Sequence, residues 1–124
     1  MTDDEQIQYL ANIWYVALVD GQAERIEDKM LDVIAKGIKA GYFETIKAKQ
    51  RAAEDGFTLQ YPSRLSDRIR NVEDMLLMAY ADKKLESLEK KILIDYANSL
   101  DITKEQLAAI QQGTKARMKD IRII

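Results

Sequence analysis

Two stretches of the chain carry carboxylates at the same spacing. In each, an aspartate is followed by glutamates four and seven positions later, and the two aspartates are Asp20 and Asp82. Carboxylate oxygens are ligands for hard cations, so one hypothesis is a weak site for Ca2+ or Mg2+. A helix junction is the other hypothesis, because acidic side chains in a first helical turn interact favourably with the helix dipole. The six candidate ligands are Asp20, Glu24, Glu27, Asp82, Glu86 and Glu89.

The sequence lacks two residue types that supply most catalytic nucleophiles, bases and transition-metal ligands. There is no cysteine and no histidine among the 124 residues, so a thiolate nucleophile, a Ser-His pair and an imidazole base are excluded. Zinc and copper sites normally use sulfur or imidazole ligands. An EF-hand loop is also excluded, because its first and third ligand positions would be Val16 and Leu18 in the first stretch. We therefore expect a protein that is not an enzyme.

Length and composition predict one helical domain over residues 1–124. Charged residues make up 32% and hydrophobic residues 47% of the chain, with one proline and five glycines, a balance typical of long helices. No apolar run approaches the roughly 18 residues of a membrane span. The acidic start MTDDEQ lacks the basic region of a signal peptide, and a chain without cysteine needs no oxidising compartment. We expect a cytoplasmic protein.

Apolar residues recur at helical spacing along six segments, and no strand pattern competes with them. The first segment runs from about residue 4 to 19, and the second places Met30 and Ile34 on one face. The third, YFETIKAKQRAAED, stops at Gly56. The long connection DGFTLQYPS follows it and contains the only proline.

The last three segments follow this connection. Ser63 or Ser66 is expected to cap the fourth helix, and a fifth covers about residues 86–99. Thr103 and Gln106 fit a capping box that opens the last helix. The sequence thus predicts an all-α fold of about six helices. The predicted buried face of the fourth helix carries Leu65, Ile69, Val72, Leu76 and Tyr80.

The two acidic stretches belong to an internal repeat. A residue of the first copy matches the residue of the second copy that follows it at the same distance in the chain as Asp82 follows Asp20. We name this distance the repeat offset. Apolar positions also correspond, for example Ile13 with Met75. We interpret the repeat as a helical hairpin used twice, over about residues 7–40 and 69–102, with a basic segment, 41–68, inserted between the copies. The identical pairs are Ala17/Ala79, Asp20/Asp82, Glu24/Glu86, Glu27/Glu89, Lys29/Lys91, Leu31/Leu93 and Ala35/Ala97.

The motif Asp-Gly-x-apolar-x-x-x-Glu at a helical hairpin resembles the TerB-like (tellurite-resistance B) family over roughly residues 7–112. An apolar helix containing alanine precedes the motif and an apolar-Ala step follows it, as in that family. The resemblance implies a compact all-helical domain of two halves, an association with tellurite and chemical-stress resistance, and no established catalysis. The family's proposed cation-chelating positions fall on Asp20, Glu27, Asp82 and Glu89. This chain departs from the family's pattern at Ala23, Glu24, Lys83 and Glu86.

Charge is unevenly distributed along the chain. Residues 36–70 hold eight basic and four acidic side chains, and residues 111–124 hold four basic and one acidic. Solvated helix faces of alternating sign are one explanation, and a basic surface is the other. The eight basic residues within residues 36–70, called the basic middle segment below, are Lys36, Lys39, Lys47, Lys49, Arg51, Arg64, Arg68 and Arg70.

Without catalytic groups, a helical domain favours the function of an interaction or scaffold module with a protein partner. The alternative is nucleic-acid binding by the basic middle segment and tail, against which stands a pI of about 5.2. The terminal DIRII either packs onto the domain or supports a homo-oligomer. The aromatic residues that could stack on bases are Tyr42, Phe43, Phe57 and Tyr61.

Overall fold

Six α-helices make up the part of the chain that the structure describes. This computed structural model describes residues 1–19, 25–81 and 87–120, with the backbone alone for residues 87–89. These ranges contain no strand, so the all-α prediction is confirmed. None of the helices within them is long and apolar enough to cross a membrane. In chain order the helices are α1 (Asp3–Leu18), α2 (Arg25–Gly37), α3 (Tyr42–Ala52), α4 (Leu65–Ala79), α5 (Ser87–Ser99) and α6 (Lys104–Asp120).

The central helix of the core is α1. Thr2 caps it, because its side chain accepts a hydrogen bond of 3.1 Å from the Glu5 backbone N–H. Apolar residues then occupy almost every face, so most residues from Ile7 to Ala17 are buried. The helix α3 packs along α1, and α4 packs on α1 as well. Of the remaining helices, α2 contacts both α1 and α4, while α5 and α6 pack on α4.

The bounds of the helices follow the repeat offset found in the sequence. The helices α1 and α4 begin one repeat offset apart, and α2 and α5 end one repeat offset apart, at Gly37 and Ser99. A third pair, α3 and α6, lies outside the predicted hairpins and obeys the same spacing, with starts at Tyr42 and Lys104. The repeat offset thus relates two sets of three helices. Two residues separated by it are called equivalent below.

The same turn ends α2 and α5. Lys39 and Asp101, which are equivalent, have φ angles of 61° and 60°, in the left-handed region. The residue after each one donates a backbone hydrogen bond to the carbonyl five positions earlier, at 2.9 Å in the first copy and 3.1 Å in the second. A left-handed residue followed by this hydrogen bond forms a Schellman motif, which ends a helix. Two equivalent corners result, one between α2 and α3 and one between α5 and α6.

Two residues of the predicted core face of α4 are exposed. Leu65 is 63% exposed and Ile69 37% exposed, so this part of the prediction is wrong. The helix α4 enters the core only from Asn71 onward, where its buried residues begin. Helical periodicity identifies a face of a helix, but it does not say where along that face the neighbouring helices stop.

The predicted helix caps have different outcomes. The residue before α4 is Arg64, which makes no side-chain capping bond, so the prediction of Ser63 or Ser66 as the cap is wrong. The capping box of α6 is confirmed. The Gln106 N–H donates to the Thr103 hydroxyl at 3.1 Å, and the Thr103 N–H donates to the Gln106 side-chain oxygen at 2.9 Å.

Candidate functional site

The predicted cation ligands fall mostly beyond the residues that the structure describes. Glu27 lies in the first turn of α2 and is buried, a position that suits the helix dipole. For Glu89 only the backbone is described, in α5. The described residues contain no group of three or more acidic side chains that could hold a metal ion, so the Ca2+ or Mg2+ site stays a prediction. The ligands outside the described ranges are Asp20, Glu24, Asp82 and Glu86.

A buried polar cluster joins α1 to α4 in the middle of the core. The Tyr9 hydroxyl donates to Asp74 at 2.5 Å, and the Asn12 amide donates to the Asn71 side-chain oxygen at 2.8 Å. The Tyr96 hydroxyl of α5 donates to the same Asn71 oxygen at 2.9 Å. Among the described residues, every buried side-chain nitrogen and oxygen has a hydrogen-bond partner. The cluster therefore holds three helices together without leaving a polar group unsatisfied.

Asp74 is the charged member of this cluster and is 1% exposed. Besides the Tyr9 hydroxyl, it accepts a hydrogen bond of 2.8 Å from Arg117 of α6, and the Arg70 Nε lies 4.0 Å away. Burial and the negative charge of Asp74 both raise the pKa of the Tyr9 hydroxyl, which keeps that hydroxyl a donor. Asp74 is thus enclosed by its donors, and it fixes α6 to the core.

Helical spacing of apolar residues does not reveal this cluster. Its members occupy equivalent positions in the two halves, since Tyr9 corresponds to Asn71 and Asn12 to Asp74. A polar residue at the same core position in both copies of a repeat would have been a signal, because buried polar groups are paired with one another. The polar residues at equivalent positions of the repeat could therefore have predicted a buried polar cluster.

Half of the basic residues in segment 36–70 are engaged within the fold. Lys49 and Arg51 form ion pairs with acidic residues of α2 and α1. Arg68 and Arg70 donate hydrogen bonds to backbone carbonyl groups, both at 2.8 Å. Side chains held in this way have fewer free donors for an external anion. The other four are exposed: Lys36, Lys39, Lys47 and Arg64.

The four aromatic residues proposed to stack on bases have two kinds of surroundings. Phe57 and Tyr61 each pack against another aromatic ring, with ring centroids 5.1 and 5.5 Å apart. Tyr42 and Phe43, at the start of α3, are instead 81% and 65% exposed. Large aromatic side chains are enriched in binding surfaces because they combine a wide apolar area with few rotatable bonds.

Exposed lysines surround these two aromatic residues at the corner between α2 and α3. We name Lys36, Lys39, Tyr42, Phe43 and Lys47 the aromatic–basic corner; all five side chains are exposed. The Lys47 ammonium lies 5.5 Å from the centroid of the Phe43 ring, a cation–π contact. The Lys39 backbone N–H donates to the Lys36 carbonyl at 3.1 Å. The five residues lie close together along the chain, at the end of α2 and in the first two turns of α3.

Side chains from α1 and α4 hold the backbone of the aromatic–basic corner. The Gln6 amide donates to the Ile38 carbonyl at 3.1 Å, and the Arg70 guanidinium donates to the Gly37 carbonyl at 2.8 Å. These bonds satisfy carbonyl groups that the end of a helix leaves without an intrahelical partner. The corner is fixed to the core on both sides, so its aromatic side chains project from a well-supported backbone.

The equivalent corner, between α5 and α6, has the same turn and different side chains. It carries one basic and two acidic residues and no aromatic ring. Because this corner forms the same Schellman motif, the turn needs neither aromatic residues nor lysines at these positions. The turn therefore does not account for the exposed side chains of the aromatic–basic corner. The residues of the equivalent corner are Asn98, Asp101, Lys104, Glu105 and Ala109, all exposed.

No protein-family model, curated protein or solved structure matches this chain. The TerB-like resemblance stays an expectation that rests on the sequence motif. The apolar end DIRII falls at residues 120–124, of which 121–124 lie outside the described ranges. On the described surface, the aromatic–basic corner is the strongest candidate for a binding site.

Proposed function

We propose that this protein is a non-enzymatic helical interaction module that binds an acidic segment of a protein partner through the aromatic–basic corner. The observation that carries the proposal is the difference between the two equivalent corners. Both have the same turn, yet only the first exposes two large aromatic side chains, Tyr42 and Phe43. Such exposure does not stabilise the fold, and binding accounts for it best.

The two aromatic residues would supply most of the binding energy. Burying a side chain of the size of Phe is worth about 1.5–3 kcal/mol, and tyrosine is enriched among interface hot spots. Tyr42 and Phe43 follow a turn that Gln6 and Arg70 already hold, so little backbone freedom is lost when a partner binds. The pair suits the apolar side chains of a partner segment.

The lysines favour an acidic partner. Lys36, Lys39 and Lys47 flank the aromatic pair, and the acidic residues closest to them in the sequence are Asp32 and Glu44. Complementary charge on the partner would speed association and select against basic segments. The positive cluster is small, because half of the basic residues in segment 36–70 are engaged within the fold. A protein segment fits such a cluster better than a nucleic acid, whose affinity depends on many phosphate contacts.

The TerB-like assignment and the weak cation site belong to the same proposal. Two helix sets with one offset, and the acidic residue Glu27 in the first turn of α2, support two acidic hairpins of the kind that the resemblance implies. We propose that Ca2+ or Mg2+ binds weakly at the acidic helix junctions of a stress-resistance protein that also has the binding surface described above. A cytoplasmic location is also proposed, since the chain has no cysteine.

Binding of a labelled acidic peptide tests the proposal. A fluorescein-labelled peptide of Glu, Asp and Leu is titrated with the wild-type protein and with the Tyr42→Ser/Phe43→Ser variant, and anisotropy gives the Kd. We expect the variant to bind at least about tenfold more weakly. A tenfold change corresponds to ~1.4 kcal/mol, which is less than the binding energy expected from burying two aromatic side chains. The matched control is Lys104→Ser/Glu105→Ser, which changes the equivalent positions and should bind as the wild type does.

Equal binding by the wild type and Tyr42→Ser/Phe43→Ser would contradict the proposal. A parallel titration uses a single-stranded oligonucleotide of similar charge. If the oligonucleotide binds more tightly than the peptide, and the same variant loses that binding, the nucleic-acid alternative is correct instead. Circular dichroism checks each variant for helix content, which should not change because the substituted residues are exposed.

A further inference from the structure

A second exposed apolar surface lies on the first two turns of α4. Leu65 and Ile69 are one helical turn apart, so they share a face, and most of the Leu65 side chain is open to solvent. We name these two residues the α4 apolar stripe. Their equivalents in α1 are Asp3, which is exposed, and Ile7, which is buried in the core. The fold therefore does not require an apolar residue at the position of Leu65.

One hydrogen bond links the helix of the α4 apolar stripe to the backbone of the aromatic–basic corner. Arg70 follows Ile69 in the chain and reaches from α4 to the end of α2, where it donates to the Gly37 carbonyl at 2.8 Å. Gly37 lies between Lys36 and Lys39, two residues of the corner. The helices α2 and α4 also pack against each other. The stripe thus lies on a helix that Arg70 connects to the end of α2, where the aromatic–basic corner begins.

We infer that the corner and the stripe bind one partner, an acidic amphipathic helix. This inference rests on the proposed function and specifies the form of the partner. An amphipathic helix presents apolar side chains along one face at positions i, i+3, i+4 and i+7, and such residues anchor a helix on a partner's surface. Leu65 and Ile69 contact one end of that face, and Tyr42 and Phe43 contact the other.

Positive charge lies beside both apolar surfaces. Arg64, just before α4, is exposed, and Arg70 is partly exposed between the stripe and the corner. Exposed basic groups are thus Arg64 beside the stripe and the lysines of the corner, while Arg70 is held between them by the Gly37 carbonyl. The acidic residues nearest to the stripe on α4 are Asp67 and Glu73, which are only partly exposed. Carboxylates that flank the apolar face of the partner complement this charge.

Two peptides of identical composition test this inference separately from the proposed function. Each has about 18 residues of Glu, Ala and Leu, with Leu on a single helical face in one and distributed around the helix in the other. They are titrated with the wild type, Leu65→Ser/Ile69→Ser and Tyr42→Ser/Phe43→Ser. Ile94→Ser is the matched control, because Ile94 is an exposed apolar residue of α5. Ile94 lies on the opposite side of α5 from Tyr96, about 200° around the helix. Because Tyr96 contacts α4, Ile94 faces away from that contact.

The wild type should bind the single-faced peptide about tenfold or more tightly than the other, a difference of ~1.4 kcal/mol or more. Leu65→Ser/Ile69→Ser should remove this preference and change binding of the distributed peptide by less than about twofold. Tyr42→Ser/Phe43→Ser should weaken binding of both peptides, while Ile94→Ser should affect neither.

Weakened binding confined to Tyr42→Ser/Phe43→Ser would overturn the inference and leave the proposed function standing. Unchanged binding in both double variants would overturn both. Sedimentation of the protein without peptide is an independent measurement. A wild-type dimer that becomes a monomer in Leu65→Ser/Ile69→Ser would show that a second copy of the chain covers the stripe, which also overturns the inference.

Discussion

The corner between α2 and α3 and the corner between α5 and α6 have the same backbone and different side chains. Lys39 and Asp101 adopt φ angles of 61° and 60°, yet Tyr42 and Phe43 of the first corner correspond to Lys104 and Glu105 of the second. A Schellman turn depends on its left-handed residue and its hydrogen bonds, so the exposed positions are free to serve another purpose. At the exposed positions of the two corners, a difference between equivalent residues is therefore not explained by the turn.

The comparison extends to the core, where Asp74 of α4 is equivalent to Asn12 of α1. Asp74→Ala would leave the Tyr9 hydroxyl and Arg117 without their acceptor, so we expect the free energy of unfolding to fall by about 3–5 kcal/mol. Asn12→Ala removes only neutral hydrogen bonds and should cost about 1–3 kcal/mol. Urea denaturation measures both losses. Equal losses would mean that the charge of Asp74 adds nothing to the cluster.

Leu31 and Leu93 allow a comparison of identical residues, because both are buried and equivalent. Truncation to alanine should cost about 2–5 kcal/mol at each position, since each change leaves a cavity in the core. If the two halves unfold as one unit, both variants shift a single transition in thermal and urea unfolding. A second transition in only one of the variants would show that the halves unfold separately.

The starts of α3 and α6 differ in their caps. Thr103→Ala removes the hydroxyl that accepts from the Gln106 N–H, and should cost about 0.5–2 kcal/mol. The equivalent of Thr103 is Gly41, which has no side-chain cap, and Glu44 stands where a capping box needs it. Gly41→Ser should therefore stabilise the protein by about 0.3 kcal/mol. Chemical denaturation of both variants checks this, and a loss of stability in Gly41→Ser would contradict it.

The smallest losses of stability are expected at the acidic pair Glu27 and Glu89. Glu27→Gln and Glu89→Gln each keep an acceptor oxygen but lose the charge that suits a helix N-terminus, so each should cost about 0.3–1 kcal/mol. Thermal unfolding with and without Ca2+ or Mg2+ separates this effect from cation binding. If the ions raise the Tm of the wild type and not of the Gln variants, a cation site is present, because ligand binding stabilises the native state.

The local parts of the fold could be predicted from the sequence. The Thr103/Gln106 capping box is a signal contained in four consecutive residues, and it forms as expected. The six helices follow from apolar residues at helical spacing, which requires no knowledge of distant contacts. The repeat offset also came from the sequence, although its extension to α3 and α6 was visible only once their starts were known.

The rest could not be predicted because it depends on contacts between residues distant in the chain. Lys49 and Arg51 meet acidic partners 21 and 47 residues away, so no local pattern separates them from the free lysines of the corner. In the sequence, Asp74 cannot be distinguished from a solvent-exposed aspartate of a helix. Its burial follows from its contacts with Tyr9 and Arg117, which are distant in the chain. The exposure of Tyr42 and Phe43 likewise depends on which faces of α3 the other helices cover, which no local pattern gives.

The hydrogen bond between Tyr9 and Asp74 makes the stability of the fold depend on pH in the alkaline range. The folded protein raises the pKa of Tyr9, whereas an unfolded chain releases that proton near pH ~10. The stabilisation is therefore complete below about pH 10, and it is lost progressively as the pH rises further, because deprotonation then favours the unfolded chain. Tyr9→Phe should therefore unfold with a weaker dependence on pH in that range.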